Sequence, residues 1–348
     1  MASDTKHEAL QPLHPSMAGK LDPVFEELYN QHVANTPMKP IDLGKLRDNY
    51  SQLYSYATGP APEVGRVYDT TFSLDDGTEI PLRVYEPATK GPWPVHIDFH
   101  GGGWGLGDLE TEGHICRHVC VKANVVVVDV AYRLVPEHPF PAAMMDSWAA
   151  IKHIHEGGAE KFNILQDSIS LGGVSAGGAI SLAMAHLARD ASLALKLVAV
   201  GTPVIDDLSQ YESAADSPWP SMRENEHAPT LNWARLAWFD RLKRTPTSTS
   251  TAAPDADADA DAASWFVNLL QAPNFSGLAR TVVYTAGADP LRDEGEAYAR
   301  RLAEAGTEVT LRRFPGVPHP FMHMDKDLWQ AREFIDRTAR EIRLAHWS

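Results

Sequence analysis

Cysteine is almost missing. Cys116 and Cys120 are the two thiols in 348 residues, too few to staple a chain of this length, so the fold must rest on an apolar core, as in proteins of reducing compartments. The expected location is cytoplasmic. Long apolar runs are missing as well: no stretch approaches the roughly 18 apolar residues needed to cross a bilayer, and residues 1–23 lack the basic cluster and apolar run of a secretory leader. Neither a membrane span nor secretion is expected. Positive charge is in short supply, with 31 Lys and Arg against 46 Asp and Glu and a net charge of −15. That is the wrong sign for holding a phosphate backbone, so nucleic acid is not an expected partner. What is present is ordinary for a globular protein: 44% hydrophobic and 22% charged residues exclude collagen-like, coiled-coil and mostly disordered chains. At about 150 residues per domain the length suggests two domains, although one α/β domain can reach this size.

Residues 1–62 are rich in proline and broken into short amphipathic stretches, 24–32 and 43–54, and read as an N-terminal helical segment. Runs 67–74 and 80–86 flank Asp75-Asp76-Gly77-Thr78, the signature of an antiparallel hairpin. Further apolar or β-branched runs at 95–99, 125–130, 168–171, 197–200, 281–285 and 308–312 alternate with helical spacing at 111–122, 141–155, 178–189, 295–305 and 328–343. This alternation predicts an α/β fold with a mostly parallel sheet covered on both faces. The core divides into 63–203 and 278–348, because the alternation stops over 204–277, a segment containing Trp219, Trp233, Trp238, Phe239 and Trp265 that reads as an insertion over the sheet edge. Within it, 245–263 runs TPTSTSTAAPDADADADAA. Small and acidic residues bury too little apolar area to offset ordering entropy, which predicts a mobile acidic loop. The glycine and terminal glutamate of a calcium-binding loop are missing from it.

Chemistry concentrates at two glycine-rich turns. The run ending in Leu171 leads into Gly172-Gly173-Val174-Ser175-Ala176-Gly177-Gly178, a G-x-S-x-G pentapeptide between a strand and a helix. A serine hydroxyl becomes nucleophilic when a tight turn exposes it to a base, which makes Ser175 the candidate nucleophile. The alternative of a phosphate loop lacks its Lys-Ser or Lys-Thr ending and the GxGxxG spacing. The run 95–99 ends in His100-Gly101-Gly102-Gly103-Trp104. Glycines at such a turn permit backbone angles that aim N–H donors inward, so Gly102, Gly103 and the N–H of Ala176 form the candidate oxyanion hole. Trp104 and Val174, which border the two turns, are expected to touch substrate.

With HGGGW (100–104), YRLVPEHPFPAA (132–143), GVSAGG (173–178), DPLRDEG (289–295) and GVPHPF (316–321), the chain resembles the hormone-sensitive-lipase-like branch of the α/β-hydrolase superfamily from about residue 67 onward. The resemblance implies a serine hydrolase of carboxylic esters, an eight-stranded sheet, and a cap made from the N-terminal segment and the insertion. It implies no metal and no organic cofactor. It also decides for Asp289 as the acid of the site; from the residues alone, Asp289 followed by Pro290 reads equally well as a helix N-cap. Asp293 and Glu294 are weaker candidates. His319, in a loop after the last predicted strand, has both the motif and the expected order after Ser175 and Asp289. His138 precedes the serine, and His323 has the order without the motif. The alternating His114, Cys116, His118 and Cys120 evoke zinc, but on a helix the cysteines and the histidines occupy faces rotated by about 200°, so the four cannot converge and packing is expected.

Two residues depart from the family pattern. Val174 stands where relatives commonly have Asp, and Pro320 stands where they have Gly. Pro320 removes an N–H and biases His319 toward extended backbone, so it could reposition the histidine loop. The expected activity is hydrolysis of small to medium neutral carboxylic esters through an acyl-enzyme. The alternatives are a non-catalytic small-molecule receptor on the same fold, as in plant hormone receptors of this resemblance that lack the histidine, and a lactonase or amidase. The expected partner is a small-molecule ester, with a homodimer left open.

Overall fold

The computed structural model describes residues 10–37, 42–50, 55–244 and 264–348. The acidic stretch expected to form a loop, 245–263, lies outside the described residues. Its centre is one eight-stranded sheet in the order β1-β2-β4-β3-β5-β6-β7-β8. The strands are β1 (Arg66–Ser73), β2 (Glu79–Glu86), β3 (Trp93–Phe99), β4 (Val126–Val130), β5 (Ile164–Val174), β6 (Leu195–Gly201), β7 (Thr281–Ala286) and β8 (Val309–Phe314). β1 and β2 form the expected hairpin, its turn held by Gly77 in a left-handed conformation and by the Asp76 carboxylate, which accepts from the Thr78 N–H at 2.8 Å. β2 runs antiparallel to β4, and every pairing from β4 through β8 is parallel.

Parallel strands need crossovers, and helices supply them. They are α3 (Gly113–Val119, continued by a π-helical turn through Asn124), α4 (Ala142–Lys161), α5 (Ala176–Asp190) and α8 (Arg292–Glu304), while α9 (Trp329–Trp347) follows β8 and packs back on the sheet. Because side chains alternate along a strand, β4 feeds both faces: Val126, Val128 and Val130 join an apolar cluster with α4 and α5, while Val127 joins another with α3 and α9. Both faces are therefore covered, and β4 is buried along its whole length.

The second cluster also takes Phe25, Leu28 and Tyr29 from the N-terminal helix α1 (Pro23–His32). Arg47 on α2 (Leu43–Asp48) donates to the carbonyls of Gly105 and Val135 at 2.9 and 2.8 Å and pairs with Glu137. The N-terminal segment is thereby fastened to the turns following β3 and β4. Helices α6 (Pro220–Glu224) and α7 (Trp233–Lys243) belong to the segment after β6. Leu208, Met222, Leu231 and Leu236 of that segment form a third apolar cluster with Leu291, placing it over the carboxyl edge of the sheet, where ligands collect in open α/β sheets. No helix among the described residues is long and apolar enough to cross a membrane.

Candidate active site

β5 gives way to α5 at Ser175, whose backbone takes φ 58° and ψ −117°. A β-strand turning into a helix at a single residue forces such an angle, and it persists because the surroundings fix it. The Ser175 N–H donates to the Gly201 carbonyl on β6 at 2.9 Å, and its own carbonyl accepts from Ala179 at 3.0 Å. The glycines are needed for close approach: a Cβ on Gly177 would lie 1.7 Å from the Phe99 carbonyl oxygen, and one on Gly173 2.3 Å from the same atom. α5 can therefore start directly against the end of β3.

The second turn leaves β3 at His100. Gly102, Gly103 and Trp104 all have positive φ, at 121°, 59° and 60°, and the Gly102 carbonyl accepts from Gly105 and Leu106 at 3.2 and 2.9 Å. The N–H groups of Gly102, Gly103 and Ala176 take no part in the turn and loop hydrogen bonds among the described residues. Two buried groups hold the turn from behind. His100 stacks on Tyr132 with centroids 4.2 Å apart, and the Tyr132 hydroxyl donates to the His100 carbonyl at 2.7 Å. Glu112 Oε1 accepts from the Gly101 N–H at 3.2 Å. Burial, reinforced by Asp98, pushes the Glu112 carboxyl up to about 8, and burial also pulls the imidazole of His323, 3.6 Å from Glu112 Oε2, down to about 4. Both side chains are thus uncharged at neutral pH.

Beyond β7, Asp289 is fully buried and does two things at once. Oδ2 lies 2.9 Å from His319 Nδ1, and Oδ1 accepts from the Leu291 N–H at 3.0 Å. The bond to Leu291 closes a turn ahead of α8 (Arg292–Glu304), whose N-cap is Leu291 and which has no side-chain cap, so the reading of Asp289 as an N-cap is corrected and its long-range partner is His319. Pro320 does not displace His319 from this pairing, and the Thr230 hydroxyl donates to the His319 carbonyl. The other candidates are engaged elsewhere: Asp293 accepts from Ser221, Glu294 accepts from Ile205, and His138 is exposed.

Ser175, His319, Gly102, Gly103 and Trp104 line one cavity, whose empty space of about 690 Å³ includes open solvent. Val174 is not among its walls. It is the last residue of β5, and its side chain packs into the α3 and α9 cluster with Ala199 and Tyr284, so the expectation that it touches substrate is corrected. Ala176 is likewise not a wall residue, although its N–H directly follows Ser175. Leu208, Leu231, Leu236, Phe239 and Lys243 from the inserted segment complete the cavity, with Tyr50 from the N-terminal one. None of these was singled out from sequence as a site residue. Phe239 presses so closely on the turn that a Cβ on Gly103 would come within 2.4 Å of its ring. The Lys243 ammonium sits over the rings of Trp104 and Phe140 at 5.2 and 5.4 Å and 3.9 Å from Asp240. Burial lowers its pKa and raises that of Asp240.

A family model described as alpha/beta hydrolase fold matches residues 96–323. An AB hydrolase superfamily protein of Schizosaccharomyces pombe is 32% identical over 356 aligned positions, covering 99% of each chain. Carboxylesterase NlhH of Mycobacterium tuberculosis is 37% identical over 75% of this chain and 77% of its own. Among solved structures, the hyperthermophilic esterase from Pyrobaculum calidifontis superposes with a TM-score of 0.79 at 31% identity, covering 93% of this chain and 98% of that one.

Proposed function

Because the chain belongs to the α/β-hydrolase family, in its hormone-sensitive-lipase-like branch, we propose that it is a serine carboxylesterase acting through an acyl-enzyme. The observation that carries this reading is the 2.9 Å contact of His319 with Asp289 at the cavity that Ser175 and the Gly102–Gly103 turn share. With Nδ1 engaged by Asp289, Nε2 is the ring nitrogen available to take the Ser175 proton as Oγ attacks the ester carbonyl. The N–H groups of Gly102, Gly103 and Ala176 receive the charge that develops on the carbonyl oxygen. His319 returns the proton to the departing alcohol, and water then releases the acid by the same steps in reverse.

The leucine and phenylalanine walls favour the apolar part of small to medium esters. Asp206 and Asp240 among the lining residues outnumber Lys243 and favour neutral substrates over anions. The N-terminal segment and 204–277 act together as the cap. The free, buried Cys116 and Cys120 fit a cytosolic setting. Replacing Ser175 with Ala is expected to abolish turnover of a chromogenic short-chain ester while leaving the melting temperature near that of the parent. Undiminished hydrolysis by folded S175A would overturn the proposal. Saturable binding of an ester without turnover by the parent would favour a receptor.

A further inference from the structure

On the sheet face covered by α3 and α9, away from the cavity walls, two histidines and an aspartate meet. His114 and His118 stand one helical turn apart on α3, their rings edge to face with centroids 4.7 Å apart. Asp325, from the loop between β8 and α9, brings Oδ1 to 2.9 Å from His114 Nε2. One ligating atom from each of the three residues lies within 4.8 Å of the other two. Both ring nitrogens of His118 are buried with no hydrogen-bond partner among the described residues, an arrangement that ordinarily disfavours a fold. The neighbouring Lys122 has its ammonium 2.5 Å from Asp336, so its charge is already paired. The Gly59 N–H donates to Asp325 Oδ1 at 3.0 Å, an outer support of the kind that orients metal-binding carboxylates.

We propose that His114, His118 and Asp325 bind a divalent transition-metal ion, with zinc the best match to two imidazoles and a carboxylate. A histidine pair at i and i+4 with one carboxylate supplies three of the four corners of a zinc tetrahedron, and water takes the fourth. Ligand atoms about 2.0–2.2 Å from zinc stand about 3.3–3.6 Å apart, so on binding the widest separation, within 4.8 Å, closes by about 1 Å while the 2.9 Å contact of His114 with Asp325 opens by about half an ångström. Cys116 and Cys120 point into the core and are not ligands. The ion is a clamp and not a reactant. It ties α3, which starts beside Glu112 and hence behind the Gly101–Gly103 turn, to the loop six residues beyond His319. The proposal holds whatever reaction the cavity performs.

The test uses the full-length protein after chelator treatment. Calorimetric titration with zinc is expected to show one equivalent bound, and titration with cobalt(II) to give the visible bands of tetrahedral coordination without a thiolate charge-transfer band. Affinity should fall about 100-fold or more in H118F and in D325N, and stay unchanged in C116S/C120S. H118F keeps an aromatic ring against its neighbours, and D325N keeps an acceptor for Gly59, so loss of binding in folded variants reports ligation. Zinc should raise the melting temperature of the parent and not of these variants. Absence of stoichiometric binding, or binding that survives both H118F and D325N, would overturn the proposal, as would a thiolate band.

Discussion

The two walls of the cavity are built on different principles. The floor is backbone: Gly102, Gly103 and Ser175 all carry positive φ, and a side-chain carbon on Gly102 would lie 2.2 Å from the Leu106 carbonyl oxygen. The roof is side chain: Leu208, Leu231, Leu236 and Phe239 reach down from a segment with its own small apolar cluster. Backbone turns locked by strand ends hold donors at fixed positions, as stabilisation of a transient charge requires. Side chains on a separate cluster can be exchanged at modest cost. On this account the floor sets the reaction and the roof sets which ester enters.

Substitutions can break that division of labour. The largest expected effect is at His319: H319A should lower kcat by about 10⁴- to 10⁶-fold with little change in KM, measured on a short-chain chromogenic ester. D289N comes next. Asn can still accept from Leu291, but it cannot stabilise an imidazolium, so a loss of about 10⁴ in kcat is expected with the melting temperature nearly unchanged. G102A, which puts a side chain where the turn closes on Leu106, should cost about 10²–10³ in kcat by moving the N–H donors. On the roof, F239A is expected to shift preference toward longer acyl or alcohol groups by about 10-fold in kcat/KM ratio, with acetyl-ester turnover within a few-fold of the parent. A loss on all esters alike would contradict the division of walls.

A different kind of effect, on stability and not on turnover, concerns the support behind the floor. Glu112 holds a proton up to about pH 8 in the folded protein, whereas the unfolded chain releases it near the ordinary glutamate value. Stability should therefore fall as pH rises through that window, by up to about 1.4 kcal/mol per pH unit from this group. E112Q is expected to flatten the slope, read by urea denaturation between pH 5 and 8.

The contrast between walls also explains what the sequence disclosed. Strands, crossover helices and both glycine turns are local patterns, so their residues are contiguous and readable. β5 begins four residues earlier than its apolar run suggested, and α3 ends three residues earlier, passing into a π-helical turn. The roof was legible only as an interruption, because 204–277 has no period and its wall residues are selected by tertiary packing. Val174 was misjudged for a related reason: adjacency to Ser175 in sequence does not survive the turn that sends the two side chains to different surroundings. Glu112 belongs to no motif, and its contact with Gly101 spans eleven residues. Cys116 and Cys120 do separate from His114 and His118, as helical geometry requires. Asp325, which joins the histidines, comes from the far end of the chain and carried no signal.

In this reading Ser175 is the nucleophile and His319 serves it. The most direct test is peptide mapping by mass spectrometry after exposure of the native enzyme to an organophosphate ester. One adduct is expected, on the peptide carrying Ser175, lost in S175A and formed far more slowly in H319A. An adduct on another residue of a protein that is thereby inactivated would contradict this reading.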